Sequence, residues 1–417
     1  MFATVKQIFN PKNRDIQKKI LFTFAALFIF KIGTTITVPG VTLDTKNLEF
    51  LEIVNAMSGG AFENASIFAL GVMPYISASI IIQLLSMDIV PYLSELSKQG
   101  GVGRNKLNQI TRVTGIILAF VQGYMYSFSY IKNGSAMDYM TYSLVLTAGT
   151  ALVLWIGDQI TQKGIGNGVS MIIMAGIIAT LPSMFSSLWT ELIGKGFIGI
   201  LTFILFALVF LAIIIGVIFE ENAERRIPIQ YANKSTSTLG RQNYIPFKLN
   251  SAGVMPVIFA SAVISIPQII ASFVKNPDFA LFVTKYINYT SVTGFILYVV
   301  LIIAFAYLYT FMQLKPKDLS EKLNKNGGYI PGVRPGKETE EYITKVLKRI
   351  TIVGACFLAL LAALPILFSE FSTLQTSITL SGTGLLIVVG VALETYKQLE
   401  SQLVSRTYTK GRKGRRR

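Results

Sequence analysis

The sequence predicts an all-α polytopic membrane protein: ten transmembrane helices in two inverted five-helix halves. Three observations predict it. Apolar runs of about 20 residues, the length that crosses a bilayer, recur from end to end of the 417-residue chain. Charged residues make up 14% of the chain and apolar residues 52%, whereas an average soluble domain carries about 25% charged residues. The 38 Lys and Arg residues also crowd into alternate loops, the mark of membrane topology.

The apolar runs lie at residues 20–38, 65–87, 110–131, 141–160, 168–188, 194–219, 252–274, 292–314, 346–368 and 371–393. An even number of spans puts both termini on one side. The N-terminus and every second loop after it hold 29 Lys and Arg, and the opposite set holds 5 counting Lys195 at a span edge. By the positive-inside rule both termini are cytoplasmic. The spans divide five and five. An odd number per half gives the halves opposite topology, an architecture known in transporters. The expected organisation is a cytoplasmic segment 1–19, an N-terminal half 20–188, an extracytoplasmic connection 189–197, a C-terminal half 198–393 and a basic cytoplasmic tail 394–417.

The composition excludes much chemistry. There is no His and a single Cys, Cys356, inside an apolar run. His-based acid–base catalysis, Cys–His nucleophiles, zinc sites and haem ligation through His all fall away. The formal charge of +16 would point to nucleic acid in a soluble protein. Here most of it is topology.

Taken in order, residues 1–19 mix Phe2, Val5, Ile8 and Phe9 with Lys6, Lys12, Arg14, Lys18 and Lys19, which suits a short helix on the cytoplasmic membrane surface. The first span is too long for a cleavable signal peptide and lacks a small-x-small cleavage site. The second run is interrupted. Ser58-Gly59-Gly60 is a flexible entry, and Gly71 and Pro74 break the apolar stretch. The reading is a short half-helix near 61–70, a break at 71–74 and a full helix from about 75. A kinked ordinary span accounts for the same residues.

At mid-depth the spans hold only neutral polar groups such as Gln83, Gln122, Ser261 and Gln268. Each can be satisfied by a neighbouring helix. Ion-coupled transporters normally need a buried ionisable residue to bind the driving ion, and none is evident. Na⁺ held by carbonyls and hydroxyls keeps that reading open.

Two long basic loops, 220–250 and 315–345, look like docking surfaces. The first carries Arg225 and Arg226, then two extended segments around a polar, Gly-containing turn that includes Arg241, and so predicts a β-hairpin. Its prolines suit edge strands. The second predicts a short amphipathic helix over 318–325 and a turn-rich tip, 327–336, carrying Arg334, before Glu340 and Glu341 open the next helix. Exposed Arg on a projecting loop suits phosphate, RNA or acidic protein. Residues 164–168, GIGNG, read as a tight turn, because no strand and no Gly-Lys-Ser/Thr accompany them. The tail from Lys410 onward reads as unstructured, with anionic lipid or RNA as candidate ligands.

Six motifs carry a family resemblance: SGGAFENASIFALGVMPYISASIIIQLL (58–85), GIGNGVSMIIMAGI (164–177), ERRIPIQYA (224–232), LNSAGVMPVIFASAV (249–263), GGYIPGVRPGKETEEYI (327–343) and SGTGLLIVVGVALET (381–395). In this order, with ten spans, the chain resembles the SecY family, the central subunit of the bacterial Sec protein-translocation channel. The match covers essentially the whole chain.

The resemblance implies a clamshell of two halves around a central pore, closed by a plug at about 61–70. The plug and its hinges would involve Gly59, Gly60, Phe62, Ile67, Phe68, Gly71 and Pro74. An apolar pore ring would fall at Ile76, Ile80, Ile173, Ile177, Ile258 and Ile387. The first four form two i,i+4 pairs, each able to share a helix face, although Ile172 or Ile178 meets the same periodicity. The lateral gate candidates are Gln83, Gln122 and Ser261, and the ribosome or motor contacts are Arg225, Arg226, Arg241 and Arg334. Implied partners are small subunits resembling SecE and SecG, the SecA motor ATPase, the ribosome, signal peptides with unfolded secretory chains, and anionic lipids. No cofactor or metal is implied, and the chain should not be an enzyme. The location would be the bacterial cytoplasmic membrane. The acidic extracytoplasmic loop 39–64, with Asp44, Glu49, Glu52 and Glu63, departs from the expected pattern.

Three other readings compete: a secondary transporter of a small solute, an accessory SecY paralogue with few substrates, and a structural scaffold. Missing mid-membrane ionisable groups and structured basic loops count against the transporter. Full plug and loop matches favour the general channel over the paralogue. Export that is insensitive to changes at Ile76, Ile80 or Ile258 would favour the scaffold.

Overall fold

The computed structural model of the chain describes residues 13–39, 55, 58–87, 89–131, 134–194, 196–231, 243–274, 277–288, 291–372 and 379–414. Its helices are α1 (Arg14–Gly33), α2 (Met73–Leu85), α3 (Pro91–Lys98), α4 (Gly100–Tyr130), α5 (Ala136–Lys163), α6 (Gly168–Ile193), α7 (Gly196–Asn222), α8 (Met255–Val274), α9 (Pro277–Tyr286), α10 (Val292–Gln313), α11 (Pro316–Lys325), α12 (Lys337–Ser372) and α13 (Thr379–Gly414). The strands are β1 (Glu224–Tyr231), β2 (Asn243–Lys248) and β3 (Gly328–Tyr329). Each of the ten apolar runs falls on a helix: α1, α2, α4 to α8, α10, α12 and α13. Among the described residues, α5, α6, α7, α10 and most of α12 are long and apolar enough to cross a membrane, and α2 and α8 are shorter apolar helices.

The chain divides into two compact units, Met1–Leu208 with Ser372–Arg417, and Val209–Phe371. In the first, α4 packs against α2 and α5, and α6 packs against α5 and α13. Helices α5 and α6 touch at Gly157 and Gly168, where a Cβ on Gly168 would overlap the Gly157 carbonyl. The turn between them is the tight one expected. Its amides are taken by side chains from elsewhere: Ile165 N donates to Thr23 Oγ1 at 3.0 Å and Gly166 N to Gln398 Oε1 at 2.9 Å.

Three expectations are corrected in this unit. Of the surface helix expected over 1–19, residues 1–12 lie outside the described residues, and 14–19 are the first turns of α1, with Asp15 in the first turn suiting its dipole. The segment 61–70 is not a half-helix. It is a chain of turns that bridges to α1's exit, with Val38 N to Ala65 O at 3.0 Å and Ile67 N to Ile36 O at 3.1 Å. Those bonds, and Ala65 at φ +45°, divert the backbone from a helical ladder. Residues 410–414 of the tail are helical, since α13 runs on to Gly414, and 415–417 lie outside the described residues. Leu399 and Leu403, one helical turn apart, give it an apolar stripe that packs on Ile16, Ile20 and Ile165.

In the second unit, α8 and α10 pair closely, with α9 beside both. The predicted hairpin is present. β1 and β2 are antiparallel, in register from Glu224 opposite Lys248 to Ile229 opposite Asn243. β1 also pairs with β3 through Gln230–Tyr329 and Tyr231–Gly328. Pro228 therefore sits in the middle strand, but outside its β3-paired stretch, so its missing N–H leaves no gap. The amphipathic helix is α11, and the tip follows it through Gly327, Gly332 and Gly336, all with positive φ.

Candidate functional site

In the first unit, five of the six ring candidates are buried: Ile76 and Ile80 on α2, Ile173 and Ile177 on α6, and Ile387 on α13. Ile177 reaches α13, because a Cβ on Gly384, one turn before Ile387, would come within 2.8 Å of its Cγ2. The alternative register residues behave differently. Ile172 is wholly buried against Gly157 of α5, and Ile178 is 44% exposed. Ile258 lies in the other unit, buried on α8.

The segment before α2 is held by several helices. Gly59 and Gly60 have φ of +73° and +82°, and Gly71 of +53°. The Phe62 ring meets Tyr126 of α4 edge-on at 5.2 Å, and the Phe68 ring stacks on Phe30 of α1 at 6.0 Å. The Ile67 carbonyl lies against Gly149 of α5, where a Cβ would overlap it. Pro74 is buried in the first turn of α2, where its missing N–H belongs to a helix's unpaired donors anyway. It starts the helix rather than kinking one. Of the acidic loop, Asp44, Glu49 and Glu52 lie outside the described residues. Glu63 both accepts from Asn55 Nδ2 and donates its own N–H to Asn55 Oδ1, each at 3.0 Å.

The three gate candidates are distributed over both units. Gln83 donates to Ser79 Oγ on its own helix at 2.9 Å. Gln122 is half-buried on α4. Ser261 donates to Val257 O at 2.9 Å and lies 3.3 Å from Tyr298 Oη of α10, a buried partner that sequence reasoning missed. Arg112 of α4 pairs with Asp158 of α5, so these two charges near the span ends satisfy each other.

The two basic loops form one body. Ile227, Ile229 and Phe247 from the hairpin, Leu323 from α11, Ile330 from the tip, and Ile343, Val346, Leu347 and Ile350 from α12 make a single apolar core. The tip is pinned by Ser320 Oγ donating to Gly336 O at 2.9 Å and by Thr339 Oγ1 donating to Arg334 O at 2.8 Å. On this body Arg334 is 88% exposed, 3.9 Å from Glu338. Arg226 donates to Glu224 at 2.7 Å and lies 4.8 Å over the Tyr244 ring. The Glu224 carboxylate raises the Arg226 pKa further above its ordinary value. Arg225 and Arg226 line an open groove of about 800 Å³ together with Lys345 and Arg349. Arg241 lies outside the described residues.

Comparison with known proteins gives these features a family. A family model described as SecY matches residues 66–396. The protein translocase subunit SecY of Staphylococcus epidermidis (strain ATCC 35984) is 47% identical over 444 residues, covering 100% of both chains. That of Bacillus subtilis (strain 168) is 46% identical over 427 residues, covering 98% of this chain and 99% of the relative. Among solved structures, a protein-conducting channel aligns with TM-score 0.69 at 18% identity over 94% of this chain and 93% of that one. A SecY structure whose plug domain is described as stabilising the closed state and maintaining a membrane seal aligns at 0.65, and Sec61 in a canine ribosome-channel complex at 0.66. Both are 18% identical with the same coverage. The structural likeness establishes an all-helical fold like that of the SecY and Sec61 channels. With the family model spanning most of the chain and relatives near one-half identity end to end, the chain belongs to the SecY family.

Proposed function

We propose that this multi-pass membrane protein is the channel subunit of a protein translocase. It passes unfolded secretory polypeptides across the bacterial cytoplasmic membrane and releases signal and transmembrane helices sideways into the bilayer. Both termini and both basic loops face the cytoplasm, as the charge bias requires. The halves 20–188 and 198–393 are the two leaves of the channel. The observation that carries the reading is the segment 58–71, seated by aromatic and backbone contacts beside buried isoleucines.

The physics fits this role. A constriction lined by Ile sheds water and so blocks ions without binding anything. Flexible apolar side chains can part around an extended chain of almost any sequence. The seal at 61–70 closes the resting pore, the Ile ring at 76, 80, 173, 177, 258 and 387 grips the moving chain, and Ser261 with Gln83 and Gln122 supplies polar contacts that an apolar signal helix displaces. The energy comes from partners: the SecA motor or the ribosome on the Arg225, Arg226, Arg241 and Arg334 surface. Subunits resembling SecE and SecG complete the assembly, and anionic lipids meet the basic tail. Arg112 and Asp158 are taken up by each other, so neither is a free ion ligand.

A photo-crosslinking residue at Ile258, with one at the 80% exposed Phe197 as control, tests this reading. With a signal-bearing chain stalled in membranes, position 258 should crosslink to it and position 197 should not. Targeting without a crosslink at 258 would overturn the pore assignment. On the docking side, Arg334→Ala should weaken motor or ribosome binding about tenfold, as for an Arg anchor. Its thermal midpoint should not change, because the side chain is almost fully exposed. Unchanged binding would remove Arg334 from the docking surface.

A further inference from the structure

One charge sits where topology does not call for it. Lys31 lies in the last turn of α1, after an apolar run, on the end where the charge bias leaves few cations. A lysine there can simply snorkel to the membrane surface. Instead its Nζ donates to the backbone carbonyl of Gly59 at 3.1 Å. The peptide at Gly59 is held from the other side as well. Gly59 has φ +73°, and its open face lies against the Gly176 backbone of α6, so that a Cβ would come within 3.0 Å of Gly176 Cα.

The same end of α1 grips the far end of the segment. The Phe30 ring stacks on Phe68, nearly parallel at 7°. Gly33 supplies the room for that ring, since a Cβ on Gly33 would overlap it. Beyond the helix, Ile36 and Val38 bond Ile67 and Ala65 through the backbone. Residues 30–38 thus hold the segment at its entry through Gly59 and at its exit through residues 65–68.

The two grips differ in kind. The exit is held by packing and by neutral backbone bonds. At the entry, what α1 itself contributes is an ammonium–carbonyl bond, which is charge-assisted and directional. That bond can also be released at little cost, because the ammonium finds water or headgroups near the membrane surface and the carbonyl carries no net charge. We propose that Lys31 is the positioning residue that latches the 58–71 segment shut, so that release of the Gly59 carbonyl is the first step of its displacement. The inference rests on reading this segment as the seal.

The test uses the full chain reconstituted in proteoliposomes with its co-purifying subunits, as wild type, Lys31→Met, Lys31→Arg and a deletion of residues 60–69. Two quantities are measured: amide exchange of peptides covering 58–71, and anion leak through the resting channel. Loss of one such bond shifts an opening equilibrium about fivefold. Lys31→Met should therefore speed exchange of 58–71 by about that factor and raise the leak, and Lys31→Arg should restore both. Exchange in Lys31→Met equal to wild type, with the deletion still leaking, would overturn the latch and leave the seal standing. Faster exchange without added leak, in a protein whose deletion does not leak either, would overturn the sealing role instead.

Discussion

Gly149→Ala is expected to leave the resting channel open to small ions. The new methyl group would occupy the space of the Ile67 carbonyl oxygen. That oxygen is backbone and cannot rotate away. The neighbouring peptides are tied to the exit of α1 by Ile67 N to Ile36 O and Val38 N to Ala65 O, so residues 65–68 must move as a piece or α5 must retreat. Strain of this kind costs about 1–3 kcal/mol, enough to shift a closed-to-open balance by about fivefold to a hundredfold. Anion efflux from proteoliposomes measures it directly. A tenfold rise with an unchanged melting temperature would place the strain on the segment. A lower melting temperature with a tight membrane would show that α5 gave way, and would count against Gly149 as the floor on which the segment rests.

The second large effect concerns the cytoplasmic platform. Ile227 is 2% exposed, in a core shared with Phe247, Ile330, Ile343 and Leu347. Ile227→Asp buries a carboxylate among aliphatic side chains that offer it no partner, a change that belongs to the rare class costing about 4 kcal/mol or more. Because one core serves both loops, the damage should appear about a hundred residues away. Limited proteolysis should cut the tip at 327–336 as readily as the hairpin, and motor-driven transport should fail while the membrane-spanning helices keep their exchange protection. A tip that stays protected after Ile227→Asp would show that the two loops fold independently.

Much of this was legible in the sequence because it rests on local pattern. Each apolar run carries a helix among its described residues, although in the second run the helix covers only Met73–Leu85. The hairpin followed from two extended segments around a turn, and α11 from its apolar spacing. What escaped depends on contacts between residues far apart in the chain. Nothing local marks 61–70 as non-helical. Its backbone is diverted by bonds to Ile36 and Val38, which lie about thirty residues upstream. The tail read as unstructured from its terminal basic run, and the apolar pair Leu399 and Leu403 acquires meaning only beside Ile16 and Ile165. Helix periodicity left Ile172 and Ile178 as rivals for the ring, whereas burial against Gly157 and exposure set them apart from Ile173 and Ile177. Lys31, the one charge in the apolar run 20–38, was the visible sign of the α1 grip, and its partner could not be read without the fold.

The shared core beneath the two loops has a mechanical consequence. β1 grows directly from the end of α7, and Leu249, just after β2, is bonded back to Ala223 O at 2.8 Å. Gly354 of α12 brings its backbone so close to the Leu249 carbonyl that a Cβ would come within 2.6 Å of it, and Tyr307 of α10 donates to Lys348 O at 3.0 Å. The platform is therefore a stiff handle rooted in α7, α10 and α12 rather than a pair of tethers. A push at the tip would be delivered to those helices as torque, with little lost to bending on the way. A motor that gripped Arg334 would be turning the roots of the channel wall.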